Sequence, residues 1–177
     1  TTPLSVANNV YTFDDGVLTF DYEVAGIGQA SDGSKHIDAK GPGAVRMWNP
    51  NGLANSEFLM WGHDNGAMSG TTSGVDGTVI AERLVRIWRA GESADVGTVS
   101  VSFDLSSLAS PLGSNLRLLI DRDGDGFADN DVTPVVGSFI NNIVVFSGVN
   151  FVSGDRFTLG NTNASIPLPI ELISFDA

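Results

Sequence analysis

Alternation with a period of two runs through this chain, and the spacing of an amphipathic helix is almost absent from it. A strand sends successive side chains to opposite faces, so the pattern commits the fold to strands buried on one side. From residue 17 to 24, Leu18, Phe20, Tyr22 and Val24 fall on one face and Thr19, Asp21 and Glu23 on the other, directly after the hairpin signal Asp15-Gly16. Val99, Val101, Phe103 and Leu105 alternate with Ser100, Ser102 and Asp104 in the same way. Further strands are expected over residues 57–61, 79–88, 116–120, 142–146, 156–159 and 170–175, separated by clusters of Gly, Asn, Asp and Ser. About nine or ten short strands in one chain predict an all-β fold, a two-sheet β-sandwich of jelly-roll-like form with a long loop and a calcium loop. Residues 26–55, rich in Gly, Ser, Asp and Asn, are read as the long surface loop.

The 177 residues fit one domain, 1–177, large enough to bury a core without cross-links. The chain has no cysteine, which excludes disulfides, zinc thiolates and a cysteine nucleophile. Its 21 acidic residues against 9 basic ones leave a net charge of −12, a surface that repels nucleic acid and suits the capture of cations. Nothing approaches the ~20 apolar residues of a membrane-spanning helix, so no membrane insertion is expected. The chain does not open on a basic and then apolar leader, and the expectation is an exported protein whose mature form begins near Thr1.

The segment with the most specific chemistry runs from Asp121 to Asp131. Asp121, Asp123 and Asp125 occupy loop positions one, three and five, Gly126 the sixth and Asp129 the ninth, the oxygen spacing of a calcium loop. Phe127 at position seven would offer its backbone carbonyl. The pattern departs from a helix–loop–helix site in two ways: Val132 stands where a bidentate glutamate belongs, and the residues before Asp121 read as a strand. Asp131, or a carboxylate from elsewhere, must then complete the shell. The expected cofactor is Ca2+ in a structural role, clamping a loop between strands, because magnesium seldom uses an all-protein cage.

No catalytic constellation is visible. His36 and His63 are the residues able to act as a near-neutral base, and neither lies in a nucleophile motif. His63 reads as the end of a strand running into an Asn-Gly turn. Glu57, Glu82 and Glu171 fall on expected strands, with no spacing that selects a pair. Trp48, with Asn49 and Asn51, sets an indole in a polar turn; it is either a lid on the core or a surface that stacks on a sugar ring. Arg83, Arg86 and Arg89 are expected to pair with surface aspartates.

Several segments together resemble a little-characterised module of large secreted proteins from Bacteroidetes: residues 57–66, 82–89 and 96–105, then Leu118-Leu119-Ile120-Asp121 entering the acidic loop, and Phe157-Thr158-Leu159. The tail, residues 167–177, is similar to the segment that precedes the sorting domain of type IX secretion cargo. That similarity implies export and display at the cell surface. The resulting expectation is a non-catalytic, extracellular cell-surface protein, acting in adhesion or as a filament subunit and stabilised by calcium. Its partners would be copies of itself, joined through terminal strands of which residues 160–177 supply one, or other surface proteins and glycans. The alternatives are a carbohydrate-binding module built on Trp48 and, more weakly, a glycan-active enzyme.

Overall fold

A computed structural model describes residues 14–106, 115–129, 131–163, 165 and 168. Among them the chain forms strands and no helix: β1 (Tyr22–Gln29), β2 (Lys35–His36), β3 (Asp38–Lys40), β4 (Val45–Trp48), β5 (Glu57–His63), β6 (Gly70–Thr71), β7 (Glu82–Leu84), β8 (Trp88–Ser93), β9 (Val99–Asp104), β10 (Leu116–Asp121), β11 (Val135–Val136), β12 (Ser138–Ile140), β13 (Ile143–Val149) and β14 (Arg156–Asn161). The larger sheet has the order β11-β10-β14-β8-β5-β1-β2, with β7 also pairing β14 and β6 pairing β7. The smaller has the order β12-β13-β9-β4-β3. The chain crosses repeatedly from one sheet to the other, and the two pack as the expected β-sandwich.

The core lies between the sheets and is dominated by rings. Trp88 meets Phe103 edge-on at 5.2 Å and stacks near Phe157 at 6.1 Å, while Phe103 reaches Phe146 across the smaller sheet. Trp61, Leu59, Val101, Leu118 and Leu159 complete the same cluster. Burying side chains of this size contributes roughly 1.5–3 kcal/mol each, which accounts for a stable sandwich without cross-links. A second, smaller cluster of Ile80, Leu119 and Phe127 stands apart from that core.

Three expectations need correction. Residues 17–21 are not a strand: Asp15 Oδ1 accepts the backbone N–H groups of Val17 and Leu18, and Asp14 Oδ1 that of Gly16. Side chains thereby take donors that a ladder would need, leaving one bridge, Asp14 to Thr19, around the expected turn. Residues 26–55 are not a long loop, because they hold half of β1 and all of β2, β3 and β4, with Ile27, Val45 and Met47 buried. Gly28 belongs in that strand because a Cβ there would meet the Phe58 ring at 2.3 Å. Residues 79–88 are not one strand either. β7 pairs with the far half of β14 and β8 with its near half, and Thr158 Oγ1 donates to the Arg86 carbonyl at 2.7 Å in the gap between them. The expected strand at 170–175 lies outside the described residues.

Register across the larger sheet sets one row that matters for function. Asp121 of β10 faces Arg156 of β14, Arg156 faces Arg89 of β8, and Arg89 faces Gly62 of β5, beside the start of β1. The acidic loop after Asp121 and the first residues of β1 therefore sit at the same end of the sheet, four strand spacings or on the order of 19 Å apart.

Candidate metal centre

β10 delivers Asp121 to the mouth of the acidic loop with its side chain 1 % exposed. Asp121 Oδ1 accepts the Gly124 N–H at 2.7 Å, while Oδ2 is buried with no hydrogen-bond partner. The nearest cation, Arg156 Nη1, is 3.9 Å from that oxygen. Burial pushes the Asp121 carboxyl above its usual range. An ionised oxygen left in this condition is costly unless something positive reaches it.

The aspartates that the spacing singled out fall into two triads that share Asp123. One oxygen each from Asp121, Asp123 and Asp131 lie within 4.8 Å of one another, as do one each from Asp123, Asp125 and Asp129. Gly126 makes the turn at φ 126°, a conformation that favours glycine. Asp131 Oδ2 folds back on the loop, accepting from the N–H groups of Arg122 at 2.8 Å and Asp123 at 3.2 Å. The charge of Asp123 and then Asp129 pushes the Asp125 carboxyl up, although that side chain is exposed. Carboxylate oxygens gathered in two triads, one of them with the buried Asp121, are a donor set that could hold a metal ion.

Phe127 has a part that its position in the loop did not reveal. Its ring, 5 % exposed, packs with Ile80 and Leu119, and its N–H donates to the Gly74 carbonyl at 3.2 Å. Arg83 lies over the ring at 5.3 Å. The acidic loop is thus pinned to the segment around Gly74 and Val75, which pairs with Phe127 as an isolated parallel bridge.

Sequence spacing also missed three charged neighbours. Arg156 grips Asp15 through Nε at 2.8 Å and Nη2 at 2.7 Å, and donates through Nη1 to the Gly124 carbonyl at 3.0 Å. It ties the turn before β1 to the acidic loop. Asp155 is fully buried; its Oδ2 accepts the Val152 N–H, and its Oδ1 faces Arg122 Nε at 3.4 Å without hydrogen-bond geometry. Burial raises the Asp155 carboxyl as well.

Among the described residues, the other candidates are engaged apart from one another. Glu57 Oε2 accepts the Ala54 N–H and Glu82 Oε1 binds Asn161, both structural tasks, while Glu171 lies outside the described residues. His36 is exposed, and His63 is buried against Glu23, its Nε2 2.9 Å from Glu23 Oε2. Trp48 is half-buried at the end of β4, with the Arg46 guanidinium 4.7 Å from its ring centre. Asn49 takes φ 55°, and Asn51 Oδ1 accepts the Thr98 N–H at 2.7 Å, so that amide serves the turn. Arg83 donates to the carbonyls of Ser73 and Leu84, and Arg86 to that of Gly66, where aspartate partners were expected.

A family model described as a domain of unknown function, DUF8202, matches residues 5–155. No curated protein and no solved structure matches the chain.

Proposed function

This chain belongs to the DUF8202 family, and we propose that it is a non-catalytic, calcium-clamped surface module that works by adhesion or as a subunit of an extracellular filament. The observation that carries the calcium reading is the buried, partnerless Oδ2 of Asp121 at the head of a loop with calcium-ligand spacing. Asp121, Asp123 and Asp131 would hold the ion, with Asp125 and Asp129 as the further carboxylates grouped with Asp123. A cation there would offset the repulsion among these carboxylates and lock the loop onto β10 and the Gly74 segment. Metal that binds only the folded chain adds stability by mass action, about 2.7 kcal/mol at a hundredfold excess over the dissociation constant.

Export to the cell surface by the type IX route is part of the same proposal and rests on the resemblances of residues 57–66, 82–89, 96–105, 118–121 and 157–159 and of the tail, 167–177. A strongly acidic sandwich suits a module that presents a surface rather than one that closes on a substrate. Melting curves in calcium, magnesium and chelator test the metal. Calcium should raise the melting temperature, magnesium much less, and Asp123→Ala with Asp125→Ala should abolish the difference between calcium and chelator. An unchanged calcium response in that double variant would remove the site from the loop.

A further inference from the structure

β1 opens on a distortion. Its register against β5 slips between Tyr22 and Ala25, and Glu23 sits at φ 51°, in the left-handed region that a glutamate adopts only at a cost. A regular strand would send Tyr22 and Glu23 to opposite faces. The bulge brings both to one imidazole instead: the Tyr22 ring stacks on His63 at 5.9 Å, and Glu23 Oε2 lies 2.9 Å from His63 Nε2. His63 is itself held, since its Nδ1 accepts the Asn65 N–H at 2.9 Å, which leaves Nε2 as the donor to Glu23. Room for the carboxylate comes from the turn between β3 and β4, where a Cβ on Gly43 would stand 1.9 Å from Glu23 Oε2. Strain of this kind gathers where a side chain must be aimed.

What the bulge leaves outward is a matched pair of groups. The contacts to His63 and, at 4.0 Å, to Arg86 both fall on Oε2, so Glu23 keeps Oε1 as an acceptor, with a third of the side chain, 33 %, open to solvent. Tyr22 is 47 % exposed, although its ring is anchored on His63. Pro42, beside Gly43, is exposed as well. An aromatic surface next to a fixed carboxylate oxygen fits a ring that has an apolar face and hydroxyl groups at its rim. Arg86, 4.0 Å from Oε2, answers the charge on Glu23, and the neutral His63 imidazole hydrogen-bonds the same oxygen, which favours neutral hydroxyl donors over a second cation.

We infer that Tyr22 and Glu23 form a binding subsite for a neutral polyhydroxylated ring of the pyranose class, with His63 as the residue that positions both. The subsite shares no residue with the acidic loop, so it stands whether or not that loop holds calcium. It also moves sugar recognition away from Trp48, to a place where no motif in the sequence marked it.

The test is 1H–15N NMR of the full chain titrated with methyl β-glucopyranoside, methyl α-mannopyranoside and methyl β-galactopyranoside, with butylamine as the cationic probe. At least one pyranoside should shift the amides of Tyr22, Glu23, Gly43 and His63 with a millimolar dissociation constant, the range open to so small a ligand. Glu23→Gln and Tyr22→Ala should each weaken that binding by about tenfold, a difference of roughly 1.4 kcal/mol. Asp123→Ala with Asp125→Ala should leave it unchanged. Tyr22 is an exposed ring, so its variant carries the test if Glu23→Gln fails to fold. No shift at these amides with any of the three sugars would overturn the proposal. So would shifts that survive both variants, or binding of butylamine in preference to the sugars.

Discussion

The acidic loop after β10 and the Glu23–His63 corner at the start of β1 lie at the same end of the larger sheet, and both bring ionisable groups out of water. They balance their charges differently. At the corner, the buried imidazole is satisfied on both nitrogens, by the Asn65 N–H and by Glu23, and Arg86 stands near the same carboxylate. In the loop, Asp121 Oδ2 has no hydrogen-bond partner, and Arg156 is drawn mainly to Asp15. A corner that closes its own hydrogen bonds is complete as a protein structure. On the proposed reading, a loop that gathers carboxylates around an unanswered oxygen would be completed by an ion. The difference suits the two proposals to different regions: a structural cation to the loop, and a ligand to the open side of the corner.

The largest expected effect lies between the two regions and should not distinguish them. Trp88 touches His63, Phe103 and Phe157, and Trp88→Ala should cost roughly 3–5 kcal/mol in denaturant unfolding, equally in calcium and in chelator. A loss confined to one condition would mean that the loop and the core are not independent. The corner comes next. Burial holds the His63 imidazole below its ordinary value of 6.5, so the unfolded chain takes up the proton first. Stability should therefore fall as the pH drops below about 6.5, and His63→Gln should flatten that slope while keeping the calcium response; melting curves at stepped pH decide it. The smallest effect belongs to Asp104, which its partner Lys40 and the Ser106 hydroxyl and N–H hold down to about 2. That contribution is present above the usual carboxylate value and lost as the pH falls from 3.8 towards 2. Lys40→Ala should cost less than about 1 kcal/mol at neutral pH, since the pair is partly exposed.

The same contrast explains what could be read from the sequence. β9 is legible because Val99, Val101 and Phe103 alternate to declare a buried face, and β5 and β10 because each is a short apolar run between turn-forming residues. β2 and β3 are not, because strands of two or three residues are created by the partners they pair with. Gly26 and Gly28 concealed the length of β1 for a related reason: their contribution is clearance for Met60 and Phe58, which composition reads as loop. The aspartates of the loop are legible since their ligand spacing is local along the chain. Arg156, Asp155 and Asp15 are not, because only the register of β10 against β14 and the turn before β1 bring them there. Glu23 looked like the outward residue of an ordinary strand until the bulge turned it back.

The proposed cation site stands or falls on Asp121, and Asp121→Asn is the substitution that probes it. The substitution keeps the shape of the side chain and removes its charge. Melting temperature and calcium binding by calorimetry would be measured for both proteins, in calcium and in chelator. The variant should bind calcium at least about tenfold more weakly, yet melt at or above the wild-type temperature in chelator, because a buried unanswered charge has gone. A variant that melts lower than wild type by the same amount in both conditions, with calcium binding unchanged, would contradict it.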